Sequence, residues 1–154
     1  MSRYVVDASI IIKWLEPQRD AEQNVAEALE LLFAYKRGTV NILQPVHWLA
    51  EVAAVLARIT PITAKEDLAD LLTFDIPIAD TPEIWCTAVE LAIALSHHLF
   101  DTLYHAVALQ TEGAQLITAD RRYFERARDR GRILLLDDLG KCLPPAGSWP
   151  GRSR

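Results

Sequence analysis

Short, almost wholly apolar runs that alternate with helical patterns constrain this chain more than any other feature. Tyr4 to Val6, Gln115 to Ile117 and Ile133 to Leu136 have the length and character of strands buried on both faces. Two weaker candidates run from Asn41 to Leu43 and from Asp75 to Ile78. Between these runs, apolar residues recur every three or four positions. Val25, Ala28, Leu29 and Leu32 form one such set, and Val46, Leu49, Ala53 and Leu56 another. Leu68, Leu71 and Leu72 mark a shorter helix, with Thr63 and Glu66 at the spacing of a capping box before it. Ile84, Ala88, Leu91 and Leu95 mark a fourth, and Leu103 to Leu109 is apolar nearly all round, as a buried helix is. Strands that alternate with helices build βαβ units, whose crossovers cover both faces of a parallel sheet. The expectation is an α/β three-layer sandwich around a parallel sheet of about five strands.

A chain of 154 residues fits one domain with a core of its own. That domain is expected over residues 1–143, with 144–154, "PPAGSWPGRSR", as a flexible proline- and glycine-rich tail. No apolar run is long enough to span a bilayer, and the N-terminus lacks a signal-peptide pattern, so a cytoplasmic location without membrane attachment is expected. Cys86 and Cys142 form no CxxC pair, and Cys86, within a helical apolar pattern, reads as a buried thiol. The net charge of −5 argues against a surface that binds nucleic acid by bulk electrostatics. It leaves room for a nucleic-acid enzyme whose acids gather in one cleft to hold cations.

Four acids stand out. Asp7 ends the run "YVVD" and Asp120 follows "LITA", so both fall at the carboxyl ends of strands, where open parallel sheets bind ligands. Each also suits the N-cap of the helix that follows, and capping and catalysis are compatible. Asp101 can cap the buried helix, yet its surroundings, "HLFDTLYHAVAL", are unusually apolar. Glu51 lies inside "VHWLAEVAAVLARI", where no cap is needed, with His47, Trp48, Ala54 and Val55 one turn away. Several carboxylates buried together are prohibitive unless a cation compensates, and hard oxygen ligands select Mg²⁺ or Mn²⁺. Ser9 and Thr118, each two residues from an acid, serve either as supporting hydroxyls or as caps.

The segments "YVVDASIIIKWL", "LAEVAAVLARI", "HHLFDTLYHAVAL" and "LITADRRYFER" resemble, in that order, the successive motifs of PIN-domain proteins. The likeness is greatest to VapC-type toxins of prokaryotic toxin–antitoxin pairs and runs from about Arg3 to Leu139. It implies a PIN-like α/β/α sandwich whose acids meet in one pocket, and an endoribonuclease dependent on Mg²⁺ or Mn²⁺. It places the acidic set on Asp7, Glu51, Asp101 and Asp120 as catalytic and metal-binding residues, and the supporting hydroxyls on Ser9 and Thr118. It implies water attack on an RNA phosphodiester, leaving a 5′-phosphate and a 3′-hydroxyl. It also implies a homodimer held inactive by a cognate VapB-type antitoxin. His105 departs from the pattern, because some members carry a further polar or acidic group in that region.

Lys13, Arg121 and Arg122 are candidates for RNA contact, with a solvated lysine and a solvated helix as the ordinary alternatives. His97, His98 and His105 are read as packed or solvated. Trp14, Trp48, Trp85 and Tyr35 are more large aromatics than a small core readily consumes, as at an interface. The competing functional class is a PIN-fold module that binds RNA or protein without cutting. Retention of all four acids argues against it, as the absence of a Gly-rich phosphate loop argues against nucleotide-dependent enzymes.

Overall fold

In the computed structural model, which describes residues 1–19 and 24–143, the expected alternation of strand and helix is realised. Four strands, β1 (Ser2–Val6), β2 (Val40–Ile42), β5 (Ala114–Thr118) and β6 (Ile133–Leu135), form a parallel sheet in the order β2-β1-β5-β6. Register runs from Ser2 opposite Val40, through Val6 opposite Ile117, to Thr118 opposite Leu135. The two central strands therefore end within one residue of each other, and Asp7 follows one as Ala119 and Asp120 follow the other.

The helices are α1 (Ala8–Leu15), α2 (Val25–Lys36), α3 (Trp48–Ile59), α4 (Ala64–Leu72), α5 (Pro82–Leu95), α6 (Leu99–Gln110) and α7 (Arg121–Ala127). They flank the sheet, as expected for this fold. α6 packs on β1 and β5 and is paired with α5; α1 packs on α2 and α3; α7 lies beside β6. Val5, Val6, Ile10, Ile11, Leu31, Ile42, Leu56, Val107, Leu116, Ile117 and Leu136 are buried in one continuous core. Each large aliphatic side chain so buried contributes about 1.5–3 kcal/mol. From Thr102 to Ala108 every residue of α6 is buried, as its all-round apolar pattern predicts.

Several expectations change. The candidate strand at Asp75 to Ile78 is extended only as β4 (Ile78–Ala79), and it pairs with β3 (Gln44–Pro45) in a separate two-stranded sheet. Asp75 adopts a left-handed conformation (φ 49°) and Pro77 has no N–H to give, so the ladder starts only beyond them. The Thr63 hydroxyl turns to Asp67 Oδ2 (3.1 Å) instead of capping α4, so no capping box forms with Glu66. Cys86 is exposed: on α5 the buried positions are Ile84, Ala88 and Leu91, and a residue two after Ile84 faces away from them. Trp14 and Trp48 belong to the core, whereas Trp85 is 40% exposed and donates to Asp80 Oδ1 at 2.7 Å. The tail at 144–154 lies outside the described residues.

Candidate functional site

At the carboxyl edge of the sheet, a cavity of about 380 Å³ is lined by Asp7, Glu51, Asp101 and Asp120, with Ser9, Thr118, Tyr104, Tyr123, Ala54 and Val55 among its other walls. The four acids come from the β1–α1 junction, α3, the first turn of α6 and the β5–α7 junction. Distant segments thus deliver them to one place.

Asp7 and Asp120 both cap and face the cavity. Asp7 Oδ1 accepts from the Ile10 N–H (3.4 Å), and Asp120 Oδ1 from the Tyr123 N–H (3.0 Å). The Ser9 hydroxyl donates to Asp7 Oδ1 and the Thr118 hydroxyl to Asp7 Oδ2 (2.5 Å), while Thr118 Oγ1 accepts from the Asp120 N–H (3.0 Å). Thr118 therefore ties the two strand ends together through their acids. Burial raises the Asp7 carboxyl above the ordinary aspartate value, and the charge of Asp101 adds to the rise; the three donors work against both.

Glu51 occupies the first turn of α3, and its Oε2 accepts from the Tyr104 hydroxyl at 2.7 Å. Its carboxyl is raised by burial, with Asp101 and Asp7 adding like charge and Tyr104 opposing them. Burial, then the charge of Glu51, pushes the Tyr104 hydroxyl far above the usual phenol range, so it remains a donor. His47 occupies the N-cap position of α3 without a side-chain cap bond; its Nε2 donates to the Phe100 carbonyl (2.8 Å), and its buried Nδ1 has no hydrogen-bond partner among the described residues.

Asp101 does not cap α6, because the helix begins at Leu99 and His98 takes the cap position. Its partner is His97, whose Nε2 lies 2.8 Å from Asp101 Oδ2. One ligating atom from each of His97, Asp101 and Asp120 falls within 4.8 Å of the others. His97 is packed, as the sequence reading has it, with its ring 4.8 Å from that of Tyr123, and the contact with Asp101 is added to that reading. Tyr104 and Tyr123 are cavity residues that nothing in the sequence marked, and His97 lies beside the lining.

His105, the departure from the expected pattern, does not reach the cavity. It is fully buried, its Nε2 donates to the Gly131 carbonyl (2.8 Å), and its Nδ1 accepts from the Tyr123 hydroxyl (2.9 Å). It positions a wall of the site and supplies no ligand. Lys13 is buried on α1 and is not among the lining residues, which corrects the expectation of a solvated or phosphate-contacting lysine. Arg121 and Arg122 are exposed at the start of α7, and Arg121 pairs with Asp137. The basic stretch beyond them is partly engaged: Arg128 pairs with Glu125, and Arg132 donates to the Ala108 and Thr111 carbonyls.

Carboxylates gathered in a partly buried cavity, two of them raised by burial and by the charge of Asp101, are a donor set suited to a hard divalent cation. The cavity has room for an ion beside a substrate group.

No curated protein matches the chain. Among solved structures, the fold is shared with PAE2754 from Pyrobaculum aerophilum (TM-score 0.63, 15% identity, covering 91% of this chain and 94% of that one). It is also shared with VapBC2 from Rickettsia felis bound to a DNA fragment from their promoter (TM-score 0.61, 20% identity, covering 86% and 96%). No described helix is long and apolar enough to cross a membrane. The PIN domain family matches residues 4–130, a span that holds both strand-end aspartates, Glu51 and Asp101, and the chain belongs to that family.

Proposed function

We propose that the chain is a Mg²⁺- or Mn²⁺-dependent endoribonuclease acting in the cytoplasm as the toxin of a VapBC-type toxin–antitoxin pair. The observation that carries this reading is the convergence of Asp7, Glu51, Asp101 and Asp120 on one cavity, at a cost in like-charge repulsion that a bound cation removes.

Asp7, Asp101 and Asp120 hold the ion in this reading, and Glu51 completes the shell directly or through water. A divalent ion there supplies Lewis acidity and a nucleophilic water at neutral pH. Ser9 and Thr118 fix both oxygens of Asp7, so that carboxylate keeps one orientation as substrate arrives. Tyr104 does the same for Glu51. Ala54 and Val55 line the cavity beside Glu51 and keep its wall apolar. Arg122, with Arg121 where it leaves Asp137, meets RNA phosphates at the rim beside Asp120.

The fold shared with VapBC2 supports a VapB-type antitoxin as the partner. Trp85, Val89 and Ile93, exposed at successive turns of α5, support a second copy of the chain as another. The test is cleavage of RNA by the purified chain with and without EDTA. Cleavage that needs Mg²⁺ or Mn²⁺ and is lost in Asp7→Asn, with an unchanged circular dichroism spectrum, is expected. Full activity of Asp7→Asn would overturn the assignment.

A further inference from the structure

We propose that His97, next to the cavity lining, is a cation ligand, so that the site it forms with Asp101 and Asp120 is a mixed nitrogen–oxygen site favouring a first-row transition ion over Mg²⁺. The inference rests on the metal-dependent reading above and adds a donor outside its acidic set.

The geometry is specific. A left-handed residue, Ser96 (φ 49°), closes α5 and turns the chain into α6, which brings His97 back over the first turn of that helix. The His97 side chain is only 10% exposed, so its ring is held by the fold. The ring packs against Tyr123, centroids 4.8 Å apart. The Tyr123 hydroxyl donates to His105 in a buried bond, and His105 donates in turn to the Gly131 carbonyl in a part-buried one, so the surface that supports His97 is fixed by two hydrogen bonds. Nε2 then stands 2.8 Å from Asp101 Oδ2, with an Asp120 oxygen within 4.8 Å of both. Adjacent ligands about 2.1 Å from an octahedral ion are about 3 Å apart. The spacing of Nε2 and Oδ2 is thus that of two atoms on one cation as well as that of a hydrogen bond.

Donor chemistry sets the preference. Mg²⁺ takes oxygen ligands and is held by carboxylates and water, whereas an imidazole nitrogen strengthens binding of first-row ions. One ring nitrogen among the carboxylates therefore separates Mn²⁺ from Mg²⁺ where carboxylates alone discriminate little.

Mn²⁺ alone is the probe. Pulsed electron paramagnetic resonance of the Mn²⁺-loaded chain is expected to show coupling to a directly bonded ¹⁴N, replaced by ¹⁵N coupling when histidine is isotopically labelled. The labelling leaves the chain unaltered, so the result does not depend on a variant that folds. In His97→Gln the nitrogen coupling is lost, and the ratio of Mn²⁺ to Mg²⁺ affinity by titration calorimetry falls at least tenfold. Mn²⁺ bound without nitrogen coupling, or an unchanged affinity ratio in His97→Gln, would overturn the proposal. Either result leaves the nuclease reading standing if EDTA still abolishes cleavage. Conversely, nitrogen coupling in a chain that cuts no RNA keeps His97 as ligand and ends that reading.

Discussion

Gln44 completes the hydrogen bonding of Val6 with its side chain. Its Oε1 accepts from the Val6 N–H at 2.9 Å and its Nε2 donates to the Val6 carbonyl at 2.6 Å, all fully buried. The last backbone bond from the β2 side is Leu43 N–H to the Tyr4 carbonyl (3.1 Å), so the amide takes over the ladder where the neighbouring strand turns away. It fixes the residue immediately before Asp7.

Replacing that amide by an apolar group of similar size leaves a donor and an acceptor of β1 unpaired in the core. Gln44→Leu is expected to destabilise the chain by about 3 kcal/mol, a fall in Tm of about 6–12 °C. Thermal unfolding followed by circular dichroism measures it. A loss under 1 kcal/mol would mean that Val6 finds other partners.

The Tyr104 hydroxyl holds Glu51 and lowers a carboxyl that burial and its neighbours raise. Tyr104→Phe removes only that oxygen. The carboxyl of Glu51 is expected to titrate higher than in the parent, as followed by ¹³C resonance of the side-chain carboxyl in EDTA. Stability falls by about 1.5–3 kcal/mol, because the hydrogen bond to a charged acceptor is lost while the ring stays packed. An unshifted or lower titration would show that the hydroxyl does not set the charge of Glu51.

How much of this was legible in the sequence follows from how local each cause is. Asp7 with Ser9, and Thr118 with Asp120, could be read because a strand end and the helix start after it are local events. Glu51 was legible through its apolar company, which is a property of one helix face. The contact of His97 with Asp101 was hidden because it depends on the left-handed turn at Ser96, and nothing nearby in sequence forces that turn. Tyr104 and Tyr123 carry an ordinary core signature, and their hydroxyls matter only through residues 53 and 18 positions away. The burial of Lys13 and the exposure of Cys86 went against residue-type habits, since α1 is enclosed by α2 and α3 whereas the outer face of α5 is uncovered. Asp75 to Ile78 failed as a strand of the main sheet because pairing is a tertiary choice.

His105 gives the chain an acid-sensitive component. Burial lowers its imidazole below the ordinary value of 6.5, with nearby Arg130 adding and the Gly131 carbonyl opposing. The folded chain therefore binds fewer protons than the unfolded one below pH 6.5. Its contribution is whole above that pH and is lost as pH falls through the folded value. His105→Gln, which cannot take up the proton, is expected to show a shallower loss of Tm from pH 6.5 downward. The residual slope belongs in part to His47, which burial also lowers. Parallel acid limbs for the two proteins would show that His105 does not titrate with unfolding.

Asp7 has the opposite sign. Its carboxyl is raised above 3.8 in the folded chain by burial, with Asp101 adding. Between that value and the folded one, the folded chain binds the extra proton. Its stability contribution is therefore present below pH 3.8 and lost as pH rises through the folded value. With EDTA present, Asp7→Asn is expected to be more stable than the parent at pH 7, by about 1 kcal/mol, as substitutions that relieve a strained site commonly are. The difference closes as pH falls below 3.8, where the parent carboxyl becomes protonated in both states. At a Mn²⁺ concentration one hundred times its dissociation constant, the parent gains about 2.7 kcal/mol from binding, and the order of the two Tm values reverses. Thermal melts at about pH 3 and 7 in EDTA, and at pH 7 with Mn²⁺, contain the whole comparison. A variant less stable than the parent in EDTA at pH 7 would show that Asp7 is held by favourable contacts that outweigh its burial.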